Sequence, residues 1–233
     1  IVLSSTYRQA SSANGDAGLQ AYPRQRLGAE QIRDQALFVS GLLVEKTGGV
    51  SVKPYQPDGL WQEVAMPQSN TRTFEQGSGD DLWRRSLYTY WKRAAPPPSL
   101  MTFDAPTREF CTARRIATNT PLQALVLWND PQFVETARGV AVQAMQASTN
   151  DQERAMFLYR ACTGEAPSAE VTNAMTSAVA HWHQRYAEAP NDAQALLAVG
   201  ESSIGKNVDP AQLAAWTMAA SGVLSSDAAI VKD

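Results

Sequence analysis

Thr120-Pro121-Leu122-Gln123-Ala124-Leu125-Val126-Leu127-Trp128-Asn129-Asp130-Pro131-Gln132-Phe133-Val134 decides the fold class. Thr120 can cap a helix, Pro121 suits a first turn because its missing N–H would be unpaired there anyway, and Gln123 can reach back to complete a capping box. Asn129-Asp130-Pro131 repeats the device. It breaks the first helix near Trp128 and caps a second, Pro131 to about Ala147, with Phe133, Val134, Ala137, Ala141 and Met145 inward.

The same pattern continues downstream. Asn150 or Asp151 caps a helix carrying Ala155, Leu158, Tyr159 and Cys162, ended by Gly164. Ser168 opens a long helix with Val171, Met175, Val179, Trp182 and Tyr186 on one stripe, and Asn191 starts a short one to Val199. Asp209-Pro210 starts the last, with Leu213, Trp216 and Ala220 inward and Gly222 weakening it. Capped amphipathic helices in series predict a mainly α chain, a helical bundle or array over residues 120–233. No fixed period recurs, which argues against a solenoid.

Residues 1–119 read as an irregular and helical lead-in. Residues 1–9 look like a helix end, 11–16 like a loop, and Tyr22 to Arg26 like an irregular basic linker. Ile32, Ala36, Val39 and Leu43 predict a helix from Ala29, stopped by Gly48-Gly49, with Gly28 as a weak N-cap. Val50–Lys53 and Arg85–Lys92 are the strand candidates; together they predict one short antiparallel β-ribbon, although Trp83, Leu87, Tyr90 and Trp91 also fit a helix. Asp58–Val64 suggests two helical turns, Pro67–Gly79 a polar loop, and Pro96-Pro97-Pro98 a stiff extended spacer that leads into the long irregular segment.

The chain has 233 residues, 44% of them apolar, enough for one real core. It has no apolar run near the roughly 20 residues of a membrane span, and its net charge of −3 argues against non-specific nucleic-acid binding. It begins with Ile1 and reads as a piece of a longer chain. His181 and His183 lie two apart and point to different helix faces, two cysteines cannot build a zinc site alone, and no Cys-x-x-Cys-His is present. No haem or metal is therefore expected in this chain. Without a nucleophile elbow or phosphate loop, no catalytic residue can be named.

Charge is unevenly spread. Residues 82–115 carry seven basic side chains against two acids, a local +5 that leaves −8 elsewhere. The candidate cluster is drawn from this segment and its flank: Arg84, Tyr88, Tyr90, Trp91, Arg93, Asp104, Arg108, Arg114, Arg115, Gln123 and Asn129. Arg forks suit carboxylate or sulfate, and aromatic faces suit sugar rings. Buried instead, the same set would pin the irregular segment to the helices. Of the adjacent Arg114 and Arg115, at least one is expected to turn inward, with Asp104 as its first candidate partner.

Arg84-Arg85-Ser86-Leu87-Tyr88-Thr89-Tyr90-Trp91-Lys92-Arg93, Phe103-Asp104-Ala105-Pro106, and the run from Cys111 through Thr118-Asn119-Thr120-Pro121-Leu122-Gln123 to Asn129-Asp130-Pro131 resemble the C-terminal domain of exported, planctomycete-type c-type cytochrome proteins. Leu3–Gln9, Pro54–Trp61 and Leu213–Thr217 extend the likeness over nearly the whole chain. The resemblance implies one domain at the end of a longer exported protein, with c-type haem on a preceding segment and no assigned chemistry. In an exported protein Cys111 and Cys162 either bridge or stay separately buried. Two functions follow as expectations: a helical structural or docking module facing the preceding domains, or an enzyme or binding module for an acidic or sulfated polysaccharide that uses segment 83–115.

Overall fold

The computed structural model describes residues 3–4, 24–204 and 208–232. Within them β1 (Gln25–Arg26) and α1 (Ala29–Val39) are followed by the short α2 (Leu60–Val64) and α3 (Pro98–Thr102). Then come α4 (Pro121–Asn129), α5 (Pro131–Ala147), α6 (Asp151–Thr163), α7 (Ala169–Glu188) and α8 (Pro190–Leu197). The chain closes with α9 (Pro210–Leu224), α10 (Asp227–Ile230) and β2 (Val231–Lys232). It is mainly helical, as the capped apolar stripes predict.

The caps work as the sequence indicates. Asp130 Oδ1 accepts from Gln132 N at 3.0 Å, Asn150 Oδ1 from the N–H groups of Gln152 and Glu153, and Ser168 Oγ from Val171 N. Each side-chain oxygen satisfies a first-turn donor that the helix cannot. At Thr120 only the reach-back is formed as a hydrogen bond, from Thr120 N to Gln123 Oε1 at 3.4 Å.

Helix α9 is the axis of the bundle. It buries Leu213, Ala214, Ala215, Trp216, Thr217, Ala220, Ser221, Val223 and Leu224, covering nearly its whole circumference rather than the single predicted stripe. Helices α5, α7 and α8 pack around it, and a helix apolar on all sides belongs in the interior. Gly222 sits inside α9 without ending it. A second apolar cluster joins Ala29, Ile32 and Ala36 of α1 to Leu100, Phe103, Leu127 and Phe133. Helix α5 belongs to both clusters and so couples lead-in and bundle. At Gly139, a Cβ would lie 2.9 Å from the carbonyl oxygen of Ser40, so only glycine lets α5 approach the end of α1 this closely.

The lead-in departs from expectation in four places. Helix α1 stops at Val39, with Ser40 as its C-cap and Gly41 at φ 74°, well before Gly48-Gly49, so Leu43 lies beyond it. The antiparallel ribbon of 50–53 with 85–92 does not form; Val52 and Thr89 make one isolated parallel bridge, and Ser86–Tyr88 is a 3-10 turn. The antiparallel pair is instead β1 with β2, which ties the supposed linker Gln25–Arg26 to the C-terminal tail. Pro98 opens α3, so the proline run is a helix start more than a spacer. The readings at 5–23 lie outside the described residues.

Candidate functional site

Four buried charges organise the irregular chain, three of them (Arg33, Arg84 and Glu135) in contact with the lead-in and Arg138 with residues 197–202, and only Arg84 belongs to the cluster read from the sequence. Arg33 on α1 donates through Nε to Gln132 Oε1 (2.6 Å), through Nη1 to the carbonyl of Arg84 (2.7 Å) and through Nη2 to that of Leu82 (2.8 Å). Burial lowers its pKa to about 10, and Asp34 and Asp130 help keep it charged. Arg84 in turn donates to the carbonyls of Lys46, Gly48 and Val50, with its guanidinium 3.9 Å above the Tyr88 ring. These forks replace strand pairing as the glue of an irregular region.

The other two charges lie on α5. Glu135 accepts from Trp83 Nε1 (2.9 Å), Glu201 N (2.7 Å) and Ser202 N. Arg138 donates to the carbonyls of Leu197, Val199 and Ser202, and burial lowers its pKa while Glu135 opposes the shift. Gly200 (φ 82°) passes so near that a Cβ would sit 2.5 Å from the Glu135 carboxyl carbon. Burial and the Glu135 charge push the Tyr55 hydroxyl above the ordinary phenol range. The available signal was two charges, Glu135 and Arg138, inside an otherwise uncharged helix, and Arg33 beside Ile32 and Ala36.

The outer region is a strap. Every residue from Thr107 to Thr120 is exposed, and Phe110 (80%) and Ile116 (76%) point outward together with Leu122 and Leu125 of α4. Its entry turns through two left-handed non-glycine residues, Asp104 (φ 62°) and Arg108 (φ 63°). Arg108 lies 4.3 Å over the Trp91 ring, and Trp91 Nε1 donates to the Thr107 carbonyl at 2.9 Å. Asp104 accepts from Thr118 N (2.8 Å), Thr118 Oγ1 (2.9 Å) and Arg26 Nη2 (2.6 Å). Burial alone would raise the Asp104 pKa, but Thr118 and Arg26 hold it below the ordinary value. Gln123 is buried and donates to Thr102 O and Thr118 Oγ1, fastening the far end.

Asp104 thus pairs with Arg26, not with Arg114 or Arg115. Arg115 is exposed and pairs with Glu30 at 2.6 Å. Burial would raise the Glu30 pKa, but Arg115 brings it below the usual carboxylate value. Arg93 and Arg114 are exposed and make no side-chain hydrogen bond or ion pair among the described residues. The candidate residues therefore do not form one site. Arg84 and Tyr88 face the 46–50 loop, Tyr90 packs on Trp61, Trp91 and Arg108 start the strap, and Asn129 borders a cleft of about 650 Å³ with Tyr55, Asp58 and Asp130. Asp104, Arg114 and Arg115 do meet, lining a groove of about 930 Å³ with Arg24 and Arg26.

The cysteines are free thiols, Cys111 exposed and Cys162 buried, so the bridge is not made. Burial raises Cys162 to about 12, which keeps it an unreactive packing group. His181 and His183 are exposed. Among the described residues no three His, Cys, Asp or Glu gather as metal ligands, and no helix is long and apolar enough to cross a membrane.

Residues 1–179 match the family described as PSD1, protein of unknown function (DUF1553). The chain belongs to the PSD1 family. The matched part takes in the Arg33 and Glu135 frame, the strap and the groove, whereas α9, the axis of the bundle, lies beyond it. No curated protein and no solved structure matches the chain.

Proposed function

We propose that this PSD1-family chain is a docking module of an exported multidomain protein of the cytochrome type, and that the strap 107–120 with the outer face of α4 receives a preceding domain of the same polypeptide. The observation that carries this reading is the build of the strap: fourteen consecutive exposed residues fixed at both ends. Phe110, Ile116, Leu122 and Leu125 are turned to the outside. A surface that fixes apolar side chains outward suits burial by a partner. Export and the haem-bearing neighbour rest on the sequence resemblance alone.

The polysaccharide reading has less support. Its proposed site, 83–115, is divided between separate faces, and Arg84 has its guanidinium committed to three carbonyls and a tyrosine ring. To test the docking reading, the preceding part of the polypeptide is supplied as a separate chain and titrated against residues 1–233. Binding that falls at least tenfold in a Phe110→Ser/Ile116→Ser variant, about 1.4 kcal/mol or more, supports it. Binding that ignores both substitutions while an anionic glycan binds through Arg93 and Arg114 would overturn it.

A further inference from the structure

We infer that the cleft between residues 55–58, the start of α3 and the α4–α5 junction is a binding site for an organic cation, an ammonium or guanidinium head on an aliphatic stem. This inference stands apart from the docking reading and shares only Leu125 with it. The cleft holds about 650 Å³, and Pro57, Pro98, Leu125, Val126 and Pro131 give it apolar walls. Asp58 and Asp130 are its charged lining, and no Lys, Arg or His stands among the described residues that line it. Apolar walls with a few converging polar groups are the usual build of a small-molecule site.

Asp130 is the deciding residue. Its Oδ1 caps α5, accepting from Gln132 N at 3.0 Å, while Oδ2 accepts no hydrogen bond among the described residues and keeps accessible surface. Burial raises its pKa, and Arg33, which opposes the shift, makes no ion pair with it among the described residues. The Arg33 guanidinium is instead held by Gln132 and the carbonyls of Arg84 and Leu82. A reachable, half-buried carboxylate oxygen without a donor is stabilised by a cation brought beside it.

The Tyr55 wall carries the same sign. Its hydroxyl accepts from Glu201 N at 3.0 Å, and burial with the charges of Glu135 and Glu201 pushes it above the ordinary phenol range. An anion is therefore disfavoured on this side as well as at Asp58 and Asp130. A bare metal ion fits no better. Among the described residues no three His, Cys, Asp or Glu gather, and hard cations take about six or more oxygens. The apolar walls instead cover a stem, and Asn129, which gives Nδ2 to the Leu125 carbonyl, keeps Oδ1 to accept from the head.

The test follows the amide NMR spectrum of the 1–233 chain titrated with hexylammonium, with hexanol and hexanoate in parallel. Hexylammonium is expected to give saturating shifts at residues 55–58 and 125–130. Hexanol, with the same stem and no charge, is expected to bind at least about tenfold more weakly, and hexanoate not to saturate. Asp130→Asn keeps a cap of equal quality and is expected to weaken hexylammonium binding at least about fivefold, Asp58→Asn at least about threefold, and Glu165→Gln, outside the cleft, not at all. Asp58 is exposed and makes no side-chain hydrogen bond or ion pair among the described residues, so Asp58→Asn decides the question should Asp130→Asn fold poorly. A short blocked peptide carrying one lysine identifies the source: tighter binding than hexylammonium assigns the site to a polypeptide side chain, and equal or weaker binding to a free amine. The inference is overturned by hexylammonium shifts that do not saturate, by hexanol binding as tightly, or by an affinity indifferent to both aspartate variants.

Discussion

The buried frame and the strap use the same residue type to opposite ends. Arg33 and Arg84 direct their forks at backbone carbonyls of a lead-in that has almost no sheet, and Arg138 directs its fork at those of residues 197–202. Arg93 and Arg114 spend nothing inward, and Arg108 and Arg115 make only surface contacts on or beside the strap. What separates the two groups is the surroundings. Arg33 and Arg138 on helix stripes, and Arg84 against the 46–50 loop, have carbonyl-rich irregular chain packed over them, whereas an arginine on an extended strap has solvent on most sides. A basic segment is thus no evidence of a basic site until its forks are traced to their acceptors.

If that contrast is right, the largest effect comes from the frame. Arg33→Ala strands three acceptors in the interior and is expected to cost about 3–5 kcal/mol, read as a lower denaturation midpoint at unchanged m-value. Gly200→Ala comes next, at about 1–3 kcal/mol, because the new Cβ meets the Glu135 carboxylate at a left-handed backbone position. A midpoint unchanged in either variant would mean that the lead-in is held by its apolar cluster alone.

Asp104→Asn tests where the strap joins the fold. Its charge-assisted bonds are partly exposed, so a loss of about 1–2 kcal/mol is expected. The pH dependence follows from the directions of the shifts. Asp104 and Glu30 titrate in the folded chain below their ordinary values of 3.8 and 4.5. Their stabilisation is present above those values and lost as pH falls through the lower folded ones. Burial raises the Asp130 pKa, so its contribution has the opposite sign, present below 3.8 and lost as pH rises through its folded value. Melting temperature recorded from pH 6 to 3 should fall at the acid end, less steeply in Asp104→Asn and more steeply in Asp130→Asn. The smallest effect is at Arg114→Ala, expected to change stability by no more than about 0.5 kcal/mol.

The legible part of the molecule was the part built by local rules. Asp130, Asn150, Ser168 and Asp209 cap where a short polar side chain precedes an apolar stripe, and Gly164 ends α6 in the left-handed conformation. Arg33 was hidden because its acceptors lie 49 to 99 residues downstream, and Glu135 because two of its donors are backbone amides near residue 200. The pairing of Gln25–Arg26 with the tail spans almost the whole chain, and no local pattern announces it. Asp104 was recognised as an anchor, but its partner was sought among the neighbouring Arg114 and Arg115. The fold brought Arg26 to it instead.

Hydrogen exchange of residues 107–120 and 82–86, compared between the 1–233 chain and the proposed longer polypeptide in which other domains precede it, tests the central proposal most directly. The frame amides are expected to be slow in both, since the Arg33 and Asp34 side chains already hold that backbone. The strap amides are expected to exchange fast in the 1–233 chain and at least about tenfold more slowly in the longer one. Equal, fast exchange of the strap in both would contradict the docking proposal.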